Sequence, residues 1–317
     1  MRKFLIKLLR FGSVTLLVAV LLDMVISSGL SKTDCYRYQT YSDISKGNLK
    51  YDVLFMGNSK AFSHFNPKII DSICGVNSYN LGVAGYPIDA QIATYHCYKS
   101  HNGTPKLIVQ EADLILTLST ANIRHQFDSE RFFPMVYDKC MRKELKALGY
   151  GFLELYCPLY RYFGYQQVIK NGFLEFLRIK HFIDRPTYKG FSPFKEEWDG
   201  TNASTISSIT GAMDKEAIKL FEDYLDECKK DGVTVLLVNS PVYSPTTKKV
   251  KNKDEINDYY ESVARKFGYK YLNYTENYEL CNDTLNFRHS IHLNSTGADR
   301  FSSDFANVLK SLGLFSN

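Results

Sequence analysis

Ser59 and His292 are the two side chains whose types and settings best suit acyl transfer. Ser59 closes the tripeptide Gly57-Asn58-Ser59, directly after the apolar run that begins at Tyr51. A hydroxyl where a buried strand ends is presented at the carboxyl edge of a parallel sheet, and backbone N–H groups at the start of the next helix can face a developing oxyanion. The tripeptide is also an ordinary turn sequence, so alone it decides nothing. A second loop reads Asn80-Leu81-Gly82-Val83-Ala84-Gly85. Its glycines let backbone approach a ligand closely, which makes the Gly85 N–H a candidate second oxyanion donor and the Asn80 amide a candidate brace for the loop. His292, followed by Leu293 and Asn294, offers an imidazole able to accept a serine proton. Most loop histidines are plain surface residues, so the weight rests on the combination.

The elements that must position these groups are legible as alternating strands and helices. Tyr51 to Gly57 reads as a buried strand, and Val76 to Tyr79 as a second. Pro87 opens a helix through about Ser100, and Lys106 to Gln110 is a third strand. Asp214 starts a helix with Ile218, Phe221, Leu225 and Cys228 on one face; Val233 to Asn239 is the strand after it. A helix over Asp254 to Lys266, a strand over Tyr269 to Asn273 and a helix from Ser295 to Leu312 complete the series. This rhythm predicts an α/β fold, a three-layer α/β/α sandwich of flavodoxin-like type with a parallel sheet of about five strands and reactive loops at its carboxyl edge. The pattern breaks over residues 121–205, read as a helical insertion. Its many aromatic residues, Phe132, Phe133, Phe152, Tyr156 and Phe163 among them, are either a satellite cluster packed on the sheet or a wall for sugar rings or an acyl chain.

Taken in order, Gly57-Asn58-Ser59, Asn66-Pro67, Tyr79-Asn80-Leu81-Gly82, Ser240-Pro241 and His292-Leu293-Asn294 resemble the SGNH (GDSL-like) hydrolase family, in its exported polysaccharide O-acyl esterase and acyltransferase branch. The match covers about residues 50–115 and 214–312. The resemblance implies Ser59 as nucleophile and His292 as general base, an oxyanion hole at the Ser59 and Gly85 amides with Asn58 and Asn80 beside it, and an acyl-enzyme resolved by water or a sugar hydroxyl with no metal or cofactor. It also implies an acyl-ester or carbohydrate substrate. Two positions depart from the family. His289 stands where the family has the aspartate that orients the base, and Gln110-Glu111-Ala112-Asp113 replaces a block containing an oxyanion asparagine. The first departure points to a Ser-His dyad or altered triad, with Asp283 as a conceivable substitute acid, or to a non-catalytic protein of the same fold that binds glycan or serves as a scaffold. His289 and His292 form an H-x-x-H pair, but no carboxylate or cysteine cluster completes a metal site around it.

The N-terminus places Arg2, Lys3, Lys7 and Arg10 before the apolar run Phe11 to Ile26, the layout of a signal anchor or secretory signal. The expectation is a single-pass anchor over residues 1–30 with the remainder outside the cytoplasm. A polar stalk over 31–49 and the α/β domain over 50–317 would follow, and cleavage near Ser27, Ser28 and Gly29 is the alternative. In the 317-residue chain, hydrophobic residues at 44% and charged residues at 23% exclude a disordered protein, and a formal charge of +5, partly from the leader, gives no nucleic-acid footprint. Seven cysteines without C-x-x-C spacing support neither a zinc site nor a redox motif.

Overall fold

The computed structural model describes residues 1–47, 49–120, 129–182, 187–201, 207–276 and 278–314. In chain order its principal elements are α1 (Arg2–Leu30), α2 (Tyr36–Lys46), β1 (Val53–Met56), α3 (Ser59–His64), α4 (Pro67–Cys74), β2 (Ser78–Asn80), α5 (Ile88–Asn102) and β3 (Leu107–Glu111). There follow α6 (Lys139–Ala147), α7 (Phe152–Tyr156), α8 (Gln166–Phe176), α9 (Lys215–Lys230), β4 (Thr234–Asn239), α10 (Lys253–Phe267) and β5 (Lys270–Asn273). The short antiparallel pair β6 (Phe287–His289) and β7 (His292–Leu293) leads into α11 (Ser295–Ser311). Two compact units result. Met1–Gly47 with Asp128–Pro186 forms a helical unit, and Asn48–Phe127 with Thr187–Asn317 forms an α/β unit.

The α/β unit is built on a five-stranded, wholly parallel sheet in the order β2-β1-β3-β4-β5. Its strands are almost continuously apolar because both faces are covered. Val53, Phe55, Val109, Leu236 and Val238 point to one face, where Phe65, Ile70, Phe301, Phe305 and Leu309 from α3, α4, α11 and their flanks complete a core. Leu54, Ile108 and Leu237, the alternate residues, are equally buried, and α9 packs against α5, α10 and β4. The chain leaves β1 toward one edge and returns to place β3 on the other side of β1, so the crevice at their carboxyl ends is the switch point where such sheets hold ligands. Ser59 and Glu111 follow or end these two strands.

The helical unit differs from the expected stalk and insertion. Of the residues read as a polar stalk, α2 occupies Tyr36–Lys46, with Tyr38, Tyr41 and Ile44 buried along one face at helical spacing. Tyr38 joins Phe133 and Tyr162 in a cluster with Ile26 and Leu30 of α1, so Phe133 and Tyr162 of the expected insertion pack on the leader helix. Within the expected insertion, residues 187–201 belong to the α/β unit, and residues 121–128, 183–186 and 202–205 lie outside the described residues.

α1 has 29 residues and is long and apolar enough to cross a membrane. Its last two turns are embedded in the helical unit. Asp23, a break in the apolar run when read as sequence, is fully buried and paired with Arg161. It also accepts hydrogen bonds from the Tyr137 hydroxyl at 2.6 Å and the Leu159 N–H at 2.7 Å. Ser27 meets the Tyr162 hydroxyl at 2.8 Å. Gly29 and Gly172 let α1 and α8 approach closely, since a Cβ on Gly29 would lie 1.8 Å from the Gly172 carbonyl oxygen.

Candidate active site

The turn after β1 admits only glycine at its first position. Gly57 has φ 148°, and a Cβ there would fall 2.5 Å from the Glu111 Cβ. Asn58 caps α3 by accepting the Lys60 N–H at 3.0 Å, which leaves Ser59 as the first helical residue. Ser59 Oγ lies 2.7 Å from His292 Nε2 across 233 positions of chain. His292 Nδ1 lies 2.9 Å from His289 Nε2, with the two rings nearly perpendicular. The group on the far nitrogen of the candidate base is therefore an imidazole. Asp283 does not take that place: its carboxylate accepts the Leu285 N–H at 3.0 Å.

For Ser59 to give up its proton, His292 Nε2 must be bare. The His292 proton then sits on Nδ1 against the His289 Nε2 lone pair, and His289 keeps its own on Nδ1. The Ile291 N–H, at 3.5 Å from His289 Nδ1, is at the outer limit of a hydrogen bond and pulls only weakly toward the opposite tautomers. Loss of solvent, then His289 and Lys60, bring the His292 pKa down to about 3, while Asp113 works weakly the other way. Burial and Arg288 lower that of His289. Both rings are neutral at pH 7, so the base is always available, but the imidazolium it must become lacks a carboxylate partner.

A third histidine holds the site together. His64, at the last position of α3, is fully buried and accepts the Leu293 N–H on Nε2 at 3.0 Å. Its proton is thereby placed on Nδ1, donated to Ser240 Oγ at 2.8 Å. Burial, reinforced by His292, Lys60 and His289, holds its pKa well below the usual histidine range. The two ends of one short helix thus engage β7, Ser59 through the His292 ring and His64 through the next backbone amide.

Below the nucleophile lies a charged cluster. Lys60, 2% exposed, approaches Glu111 at 2.8 Å, Asp113 at 3.1 Å and the Asn239 side-chain oxygen at 3.2 Å. Burial opposes its charge, but Glu111 and Asp113 outweigh that and raise its pKa. Asp113 is held below the usual carboxylate range despite burial by Lys60 and the Leu116 and Ile115 N–H groups, whereas burial leaves Glu111 above it. The segment Gln110-Glu111-Ala112-Asp113 thus supplies two partners of Lys60.

Asn80 donates both amide hydrogens to backbone, to Ala61 O at 2.7 Å and Phe65 O at 3.0 Å, and accepts the Gly82 N–H at 2.9 Å. It braces α3 against the second loop. A Cβ on Gly82 would lie 2.4 Å from the Phe62 nitrogen, so the loop and helix touch backbone to backbone. Gly85 turns the chain toward α5 at φ 78°, and among the described residues no hydrogen bond links it to Ser59 or His292. The structure brings Ser59, His292 and His289 into one relay. Asn58 uses its side-chain oxygen to cap α3, and Asn80 uses its whole amide on α3 and the second loop.

One segment of the expected insertion borders the site. The backbone of residues 188–198 runs along the elements that carry the site: Lys189 O takes the Asn80 N–H, the Ser192 N–H reaches Phe62 O, Phe194 O takes the Ser295 N–H, and the Trp198 N–H reaches Phe287 O. Phe194 packs on His292 with ring centroids 5.3 Å apart, and Arg288 lies over the Phe194 ring.

No family model matches the chain, and no curated protein matches it. Solved structures do. One is a Bacteroides fragilis protein provisionally described as an acylhydrolase, aligned over 87% of this chain and 96% of that one at 11% identity, with a TM-score of 0.42.

Sequence reasoning did not single out Lys60, His64 or Phe194. Lys60 adjoins the candidate nucleophile and His64 ends the same short helix, yet neither residue type signals burial. The resulting arrangement, a hydroxyl on a neutral imidazole at a sheet switch point, can transfer a proton from oxygen to nitrogen as the oxygen attacks a carbonyl.

Proposed function

We propose that the chain is a membrane-tethered serine esterase or O-acyltransferase acting on acyl esters, most simply acetyl esters, of cell-envelope or exported polysaccharide. The observation that carries this reading is the 2.7 Å contact between Ser59 Oγ and His292 Nε2 at the carboxyl edge of the sheet. Ser59 attacks the ester carbonyl as its proton passes to His292 Nε2. The resulting oxyanion faces the N-terminus of α3, with the Gly85 N–H as its second donor. Collapse expels the sugar oxygen, which takes the proton from His292, and water or another hydroxyl resolves the acyl-enzyme. His289 holds the His292 tautomer. The substrate class follows the family resemblance of the motifs, and the Phe194 face beside His292 suits the apolar side of a sugar ring or short acyl group.

The tether is α1, retained rather than cleaved. Cleavage near Ser27 would remove Asp23 from Arg161 and leave that buried guanidinium without its carboxylate. Four basic residues ahead of the apolar run favour an N-terminus in the cytoplasm and an α/β unit outside it.

The test is labelling of the full-length protein by a fluorophosphonate probe, together with release of acetate from an acetyl-ester reporter, in wild type and Ser59→Ala. Labelling and turnover in the wild type alone support the reading; equal labelling of both removes Ser59 as nucleophile. A second reading, a glycan-binding protein without turnover, is favoured by the absence of a carboxylate at His292 Nδ1. Glycan retention by a wild type that neither labels nor turns over would establish it.

A further inference from the structure

The helical unit buries some of its large apolar side chains and exposes others. Phe132, Phe133 and Tyr162 are buried. Phe152, Leu153, Tyr156, Tyr160 and Phe163 are exposed, Phe152 at 73% and Phe163 at 88%. Five large apolar side chains within twelve positions are more than the scattered exposure of an ordinary surface. The same segment is fastened to α1. Leu159 N–H and Arg161 both bind Asp23, so Phe152–Phe163 lies beside the turn of α1 that carries Asp23.

That turn is also where the exposed apolar surface of α1 stops. Large apolar residues from Phe4 to Met24 face outward, and the helix is buried at Ile26, Ser27, Gly29 and Leu30. Phe4 to Met24 spans roughly 30 Å at the α-helical rise, about the thickness of a bilayer's hydrocarbon core. The exposed aromatic segment is thus level with the end of the span. At that depth the membrane–water interface favours aromatic rings with a polar tip, and Tyr156 and Tyr160 have one. Nearby α6 exposes Lys139, Lys143 and Lys146, and its Arg142 stacks on Tyr156, long stems that can lie along the interface with their charges in water.

We infer that Phe152–Phe163 is an interfacial foot that lies in the headgroup region of the bilayer crossed by α1, fixing the helical unit at the membrane surface. The inference rests on the reading of α1 as a retained anchor, and its test separates the two. Trp198 is the only tryptophan, so Trp198→Phe gives a silent background. In it, Phe163→Trp, Phe152→Trp and, as a control on the span, Leu17→Trp are made in the full-length chain. Each is reconstituted in vesicles of phosphatidylcholine and phosphatidylglycerol. Quenching is read with lipids brominated near the headgroup or near the acyl-chain end. The foot predicts blue-shifted emission at positions 152 and 163 and quenching of roughly two-fold by the shallow label, with the deep label stronger at position 17. Quenching at 17 with water-like, unquenched emission at 152 and 163 overturns the foot and keeps the anchor. Loss of quenching at all three overturns both. Blue-shifted emission at 152 and 163 without lipid quenching assigns the face to a protein partner or second copy and overturns the lipid assignment.

Discussion

At the scale of single residues, the relay Ser59–His292–His289 has a distinctive chemical signature. A carboxylate in place of His289 would stabilise the His292 cation, and His289→Asp is expected to raise kcat on an acetyl ester by roughly 10-fold or more, within the range that orienting acids contribute. The same variant should move the acid limb of the pH profile upward toward ordinary histidine values. In the wild type the base is held down to about 3, so kcat/KM should show no loss between about pH 7 and 5, where a free histidine titrates. An acid limb near 6.5 in the wild-type kcat/KM would show that the base of the free enzyme is not held down, and an inactive His289→Asp would remove His289 from the relay. His289→Ala, lacking any acceptor for Nδ1–H, should lower kcat by about 10- to 100-fold with a smaller effect on KM.

At the scale of elements, close backbone approach and buried charge decide what can be changed. A side chain on Gly29 would collide with the Gly172 carbonyl, whereas Gly12 on the same helix has nothing within 4 Å. Gly29→Val is therefore expected to destabilise the α1–α8 packing by at least about 2 kcal/mol and Gly12→Val to be tolerated, as read by protease sensitivity of the helical unit in lipid. Equal sensitivity of the two variants would show that the crossing is not tight. Arg161→Met strands the Asp23 carboxylate and should cost about 3–5 kcal/mol, while pairing it with Asp23→Leu should recover most of the loss. Thermal unfolding of the single and double variants checks this, and an additive double would deny the ion pair. In α3, the six residues from Ser59 to His64 contribute a hydroxyl, a buried cation and a buried imidazole; local sequence makes the helix, but its neighbours give those groups their partners.

Across the whole molecule, buried neutral histidines tie stability to pH. His64 and His292 both have folded-state pKa values below that of an unfolded histidine, near 6.5. The unfolded chain takes up protons first, so their contribution is complete above about pH 6.5 and is lost progressively as pH falls from there toward the folded values. Each histidine contributes a slope of up to about 1.4 kcal/mol per pH unit in that window. His64→Gln should reduce the slope by about one proton, measured by denaturant unfolding of the full-length protein at several pH values. An unchanged slope would place a charged His64 in the folded state. The division into a helical unit containing the leader and an α/β unit containing the relay also means that destabilising Asp23 or Arg161 should leave fluorophosphonate labelling of Ser59 intact at temperatures where both units stay folded.

The parallel sheet was legible in the sequence because its determinants are local: apolar runs of strand length, Gly and Pro at their ends, and amphipathic helices between them. The strands fall within a residue or two of the runs that announce them, and the motif order placed Ser59 and His292 at the end of a strand and ahead of the last helix. The apolar leader was equally plain. What only the tertiary structure decided are the meetings of distant residues. Nothing near His292 in sequence says whether its second nitrogen meets a carboxylate or, as here, the ring of His289. Asp23 interrupts an apolar run, and its partner Arg161 lies 138 positions away. Lys60 carried no sign of burial until Glu111 and Asp113 closed around it. Periodicity fixes which face of an element is apolar; the partners of a buried polar group depend on which elements pack together, and that is a property of the assembled chain.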